Sequence, residues 1–384
     1  MRLFQLALPA LLLASFAASG LYGASGVLVY VGTYTGPNSK GIYAYRFDES
    51  TGKLTPVGLA AETQSPSFLA LNPKRPVVYA VNELDEFQGQ KGGAVSAFAI
   101  DKRTGKLRLL NQQPSRGSGP CHVSVDHTGR MVAVANYSSG SMAAYPVRRD
   151  GGLGASSAFF QDSGSGTNPK RQEGPHAHSA NFSPDNRFLF LADLGLDKVF
   201  SYHVDPAKAA LTPNDPAFVE IKGGSGPRHM AFRPDGHFAY LASEMASTVT
   251  AFSYDAQRGE LKTIQTISML PADFHGESTA AEIEVDKSGR FIYASNRGDD
   301  SIAVFSSDPS SGRLTLVEVT PTGGKEPRNF TLDPTGRWLL AANQNSNTIT
   351  VFSVDQATGR LKATGESVDV ASPVCVLFVS KAGR

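Results

Sequence analysis

The side chains best suited to chemistry in this sequence recur at two kinds of place. The first lies just inside the start of an apolar run: His178 after Pro175-His176-Ala177, Arg228 after Pro227 and Arg328 after Pro327. The second closes an apolar run: Glu83, Glu244, Arg297 and Gln344, with Asn82, Ser243, Asn296 and Asn343 immediately before them. Brought into one concavity, three arginines, two glutamates and a histidine could bind an anion through bidentate hydrogen bonds and transfer a proton. The bland alternative is a solvated rim of paired charges. Serine never sits in a Gly-x-Ser-x-Gly elbow, so a hydrolase built from these residues would use activated water. His176 and His178 are two apart and share a strand face. No Asp, Glu or Cys stands at ligand spacing beside them, and catalytic zinc takes three protein ligands, so neither metal nor cofactor is expected. The glycine-rich stretches 164–170 and 223–226 lack the following helix that a phosphate loop requires.

What must position these residues is a repeat. Six segments align without a gap as apolar strand, tight turn, apolar strand and polar pair: Pro66–Glu83, Pro120–Tyr137, Ala177–Leu194, Pro227–Glu244, Ala280–Arg297 and Pro327–Gln344. In turns such as Asp333-Pro334-Thr335-Gly336, Pro presets φ at the first corner and Gly accepts positive φ. A third apolar run follows each unit, then a turn such as Ala357-Thr358-Gly359 and a fourth short run. Four strands per repeat of about 45–55 residues is the pattern of an all-β propeller with antiparallel blades. A seventh first strand, Pro373–Phe378, ends the chain without a second. Val27–Tyr34, Gly41–Phe47 and Leu54–Gly58 resemble the missing second, third and fourth strands. The expected fold is therefore a seven-bladed β-propeller closed by N-terminal strands joining the C-terminal strand, which leaves no sheet edge open.

In such a ring the first strand of each blade lines the central channel, and its start shares a mouth with the end of the second strand. The first inner positions are then Ser67, Cys121, His178, Arg228, Ala281, Arg328 and Val374. The closing positions are Glu83, Tyr137, Leu194, Glu244, Arg297, Gln344 and Tyr34. His122 and His229, at the alternate position, are expected to pack between blades. Cys121 and Cys375 point to opposite faces with a blade between them, beyond disulfide reach, so both thiols should be free. Cys121 and His178 sit in neighbouring blades and are not expected to pair. Substitutions at a mouth outside the packed blades are expected to alter thermal stability little.

Residues 1–24 carry Arg2, an apolar run and then small residues, the pattern of a secretory signal peptide cleaved after Ala17, Gly20 or Ala24. A membrane anchor is the alternative, but Gln5, Pro9 and the Ser/Gly cluster break the run short of a span. The expected organisation is this leader followed by one domain, residues 25–384, exported to the periplasm or medium and monomeric. Loss of Arg2 leaves equal numbers of basic and acidic side chains. That balance gives no electrostatic reason to expect nucleic acid or an anionic membrane as partner.

With the repeat established, Tyr30-Val31-Gly32-Thr33-Tyr34-Thr35, Gly174-Pro175-His176-Ala177-His178-Ser179 and Tyr293-Ala294-Ser295-Asn296-Arg297-Gly298 make the chain resemble the lactonase family of seven-bladed propellers. That family includes a bacterial 6-phosphogluconolactonase type and the fungal carboxy-cis,cis-muconate cyclase, and the likeness covers essentially the whole chain after the leader. The resemblance implies hydrolysis of a small, anionic sugar lactone without a cofactor. It places catalytic roles on His178, Glu244, Arg228 and Arg297, with His176 a near-equal candidate for the histidine. His176, Arg328, Glu83, Asn296 and Gln344 are expected to contact the substrate. The arginines would bind the anion and the developing oxyanion, while Glu244 or His178 would activate water. A carboxymuconate-type cycloisomerase and a non-catalytic ligand- or protein-binding propeller remain alternatives. Phosphorylated sugar lactones are scarce outside cells, so an exported chain points to a different lactone.

Overall fold

The computed structural model describes residues 26–379; the leader expected at residues 1–24 lies outside them. Seven four-stranded antiparallel sheets follow one another around a ring, with one added two-stranded hairpin, Glu86–Phe87 with Gln90–Lys91. Six blades are consecutive in sequence. The seventh is split as expected: Val27–Thr33 lies between Gly41–Phe47 and the terminal strand Pro373–Val379, pairing Val29 with Phe378 and Val31 with Val376. Among the described residues no helix is long and apolar enough to cross a membrane.

The hairpins inside each blade follow from their turn residues. Gly129, Gly236, Gly289 and Gly336 all have φ near +70°, which an L side chain adopts at a cost. The Asp that opens the turn adds a clamp: Asp126 accepts hydrogen bonds from the backbone N–H of Thr128, Arg130 and Met131, and Asp333 from those of Thr335 and Trp338. A carboxylate thus satisfies donors that the hairpin leaves free.

Between blades, apolar side chains of adjacent sheets interdigitate. Leu28, Tyr30, Ile42 and Ala44 of blade seven, for example, meet Leu69, Val78, Ala80 and Phe98 of blade one. Fully buried tyrosines in the second strands add polar struts to this packing. Tyr30 Oη donates to Gly105 O (3.2 Å), Tyr79 to Gly151 O (2.9 Å) and Tyr293 to Gly359 O (2.9 Å), each in the next blade. A buried phenol must find an acceptor, so the contact fixes blade against blade.

Candidate active site

The first strand of most blades is irregular at its second residue. Ladder pairing jumps from Pro120 to His122, from Ala177 to Ser179, from Pro227 to His229, from Ala280 to Ile283 and from Pro327 to Asn329. Cys121, His178, Arg228 and Arg328 are thus bulge residues without a cross-strand partner, which bends the strand and re-aims its side chains. In blades two, four and six, two consecutive residues consequently turn inward: Cys121 with His122, Arg228 with His229 and Arg328 with Asn329. This corrects the expectation that His122 and His229 pack between blades. His122 stacks on Phe68 (ring centroids 4.4 Å), and His229 lies 5.3 Å from His122 and 5.1 Å from His178. His229 Nδ1 is 3.0 Å from Glu282 Oε1, and Asn329 Nδ2 donates to Glu282 Oε2. This buried layer lies under the mouth.

Above it is a cavity of about 370 Å³ lined by Tyr34, Glu83, Cys121, Tyr137, Arg171, His178, Glu244, Thr279, Arg297 and Arg328. Blades two to seven and blade one all reach it. Glu244 is the hub of one side. Its Oε1 accepts from Arg171 Nη2 at 2.5 Å, and its Oε2 accepts from Arg228 Nε at 3.0 Å and Arg297 Nη2 at 2.9 Å. Burial opposes ionisation of this carboxyl, but Arg297, Arg228 and Arg171 together outweigh it and hold it at about 2. Arg228 is fully buried behind Glu244, outside the cavity wall, and also donates to Ala281 O at 2.6 Å. Burial and the neighbouring Arg297 and Arg328 lower its guanidinium to about 10. His178 Nε2 stands 3.9 Å from Glu244 Oε2, beyond a hydrogen bond. Burial, then Arg228, pushes its imidazole well below the usual histidine range, so it is neutral.

The opposite side is built differently. Tyr34 Oη is 3.0 Å from both Glu83 oxygens, and the Arg328 guanidinium lies over the Tyr34 ring, 5.3 Å from its centroid. Glu83 and Arg328 have no ion-pair partner among the described residues, and Arg328 donates no side-chain hydrogen bond there. Four arginines against two glutamates leave the mouth positive.

Not every expected residue borders this space. Asn296 is fully buried and directs Nδ2 to Met269 O (3.1 Å) and Ser301 Oγ (3.3 Å). Asn136 and Asn343 tie their blades in the same way. The pleat explains this: the closing residue of strand two faces the cavity, so the residue before it faces away. Gln344 is off the cavity wall as well. His176 stacks behind Tyr137 (4.6 Å) and donates from Nδ1 to Tyr137 O at 3.0 Å, so it braces the wall and does not line it.

Three further expectations change. Arg171 was not anticipated because it lies in the insert after blade two, where no register exists. Buried Gln172 anchors that insert through Leu194 O (2.9 Å) and Asn168 N (2.9 Å), which leaves Arg171 aimed at Glu244. Cys121 does reach its neighbour's histidine, because the bulge turns both residues inward. Its Sγ is 3.8 Å from His178 Nδ1 and 3.2 Å from His178 O. Burial pushes this thiol up, which leaves it a poor nucleophile. Both cysteines are free, as expected. Finally, the mouth is part of the packed interior: Glu244, Arg228 and His178 are all buried, so substitutions there bear on stability. No group of three or more metal-ligating side chains occurs among the described residues.

Comparison with known proteins adds an independent line. A family model described as Lactonase, 7-bladed beta-propeller matches residues 28–378. The chain is 39% identical over 350 residues to a 6-phosphogluconolactonase of Bacillus subtilis, covering 91% of this chain and 97% of that one. It is 36% identical over 314 residues to a 6-phosphogluconolactonase of Formosa agariphila, covering 79% of this chain and 86% of its relative. The solved structure of a periplasmic gluconolactonase from Pseudomonas aeruginosa superposes with a TM-score of 0.86 at 39% identity, over 92% of this chain and 99% of the other.

Proposed function

Because the chain belongs to the lactonase family of seven-bladed β-propellers, we propose that it is a hydrolase that opens a small sugar lactone with water. One observation carries the reading: a polar cavity of about 370 Å³ on the propeller axis bordered by the guanidiniums of Arg171, Arg297 and Arg328, with Arg228 behind Glu244. Lactone opening needs donors at the place where the carbonyl oxygen becomes an oxyanion. Arg297 and Arg328 border the cavity and suit that task. Glu244 acts here as the counter-ion that fixes Arg171, Arg228 and Arg297 in one array, with His178 as the neutral wall beneath them. The excess positive charge favours a substrate that carries a carboxylate or phosphate, or that gains negative charge in the transition state.

Export is the finer part of the proposal. The leader-like residues 1–24 support it, as does similarity to a gluconolactonase described as periplasmic. An unphosphorylated aldonolactone is the substrate that fits such a location. Ring opening releases a proton, so a pH-stat with a panel of gluconolactone, 6-phosphogluconolactone and other sugar lactones tests the activity. N-terminal sequencing of the secreted protein tests the leader. Turnover of none of the panel, with retained binding, favours a ligand-binding propeller instead.

A further inference from the structure

Resting on the lactonase reading, we infer that Glu83 is the general base of this site, with Tyr34 as its positioning residue. The inference starts from what the other candidates can do. Both oxygens of Glu244 are occupied by guanidinium donors, and a carboxylate so held has little tendency to take a proton. His178 borders the cavity, but its Nδ1 faces the Cys121 thiol, its ring packs on His229, and its Nε2 faces the occupied Glu244 at 3.9 Å. Glu83 alone is a carboxylate that borders the cavity, is half-buried and has no cation bonded to it among the described residues.

Its surroundings come from three neighbouring blades. Tyr34 of blade seven reaches both carboxylate oxygens at 3.0 Å. Arg328 of blade six covers the Tyr34 ring, and the Cys121 thiol of blade two lies on the same wall. Arg171, Arg297 and Glu244 face it across the cavity. Burial raises the Tyr34 phenol, so it stays a donor and aims the carboxylate without competing for the proton. A carboxylate beside an uncommitted guanidinium is the arrangement that water addition to a carbonyl needs: base and oxyanion donor side by side.

The step balances as follows. A water O–H proton passes to Glu83 as the water oxygen bonds to the lactone carbonyl carbon, and the carbonyl π pair moves to oxygen beside Arg328. Collapse re-forms the C=O bond and breaks the ring C–O bond, and the proton on Glu83 passes to the departing ring oxygen. The product is a hydroxy acid, which releases its carboxyl proton to solvent at neutral pH.

The test is pH-stat turnover of gluconolactone and 6-phosphogluconolactone by the full chain across the pH range. Glu83→Gln should lower kcat by about 10²–10⁴-fold, change KM far less and abolish the acid limb of the pH–rate profile. The residual activity of Glu244→Gln should keep that limb. Tyr34→Phe, which only frees the carboxylate from its donor, should retain measurable turnover with the limb displaced to higher pH. Thermal melts show whether each variant is folded. Wild-type turnover with unchanged kcat and profile in folded Glu83→Gln overturns the assignment. A wild type that opens neither these two lactones nor any other of the sugar-lactone panel overturns the lactonase reading, and the base assignment with it.

Discussion

Replacing Glu244 by Gln should cost stability as well as activity, and the size of the effect can be worked from the site. The carboxyl titrates at about 2 in the fold against 4.5 ordinarily. Each pH unit of difference is worth about 1.4 kcal/mol, so ionised Glu244 contributes about 3 kcal/mol at neutral pH. Removing one partner of a buried ion pair typically costs about 3–5 kcal/mol, an independent figure in the same range. Because the folded-state value is depressed, the contribution is complete above 4.5 and is lost as the pH falls through 2. Gln has the shape of the protonated form, so the variant lacks the contribution at every pH. With an unfolding entropy of about 2.1 cal/mol/K per residue, a chain of 384 residues loses roughly 4 °C in Tm for about 3 kcal/mol. Scanning calorimetry at neutral pH should show that drop, and the gap between variant and wild type should narrow as the pH falls from 4.5 toward 2. Equal melting temperatures at neutral pH, or a gap that does not depend on pH, would refute the description of Glu244 as the counter-ion of a buried arginine array.

Other consequences are simpler to check. Arg328→Ala removes a guanidinium that donates to nothing in the protein as described, so kcat/KM for lactone opening should fall about 10²–10³-fold while Tm stays almost unchanged; a large loss of Tm would mean that Arg328 is structural. Thiol titration should find Cys121 and Cys375 unreactive in the native protein and both free once it is denatured without reductant, since burial disfavours both thiolates. Burial, and then the adjacent Asp193, pushes Asp162 well above the usual carboxylate range, so its ionisation costs the fold stability progressively as the pH rises above 3.8. Asp162→Asn should therefore melt above the wild type at pH 8 and lose that advantage near pH 4; a constant difference would exclude titration as the cause.

The ring, its seven blades and its split closure were legible in the sequence because the repeat aligns without gaps and its turns use residues with a specific backbone role. Pro334 and Gly336 mark a hairpin wherever they stand, and Pro373–Phe378 without a following strand leaves only the N-terminus to complete the blade. Most closing positions of strand two were legible too, since Tyr34, Glu83, Tyr137, Glu244 and Arg297 reach the cavity while Leu194 and Gln344 do not. What the pattern could not carry was any feature that leaves the repeat length unchanged. A bulge at Cys121 or His178 inserts no residue into the alignment, because every blade that has it has it at the same place. Strict alternation therefore sent His122 and His229 to the wrong side and separated Cys121 from His178. Asn296 failed for the opposite reason: there the alternation is strict, and it turns the side chain away. Arg171 belongs to a loop, where position depends on the docking of Gln172 and on nothing periodic.

The bulges also explain why the charges of this mouth behave as buried ones. A regular first strand would present every second residue to the axis. The bulged strands present two in succession: Cys121, His178 and Arg328 border the cavity, while His122, His229, Glu282 and Asn329 enter a layer beneath it. That layer contains Phe68, His122, His229, Glu282 and Asn329, all but Phe68 buried, with His122 and His229 kept below the usual histidine range by burial first. A packed layer of this kind places protein, and not bulk water, directly beneath the site. Charges above it then act on one another through a medium less polarisable than water, where each guanidinium has a longer and stronger reach. Glu244 is held well below the usual carboxylate range despite its burial because Arg297, Arg228 and Arg171 act on it in this way. The same condition strengthens any donor aimed at a developing oxyanion, so the irregularity that breaks the ladder at Arg228 and Arg328 also creates the setting in which arginine is most effective.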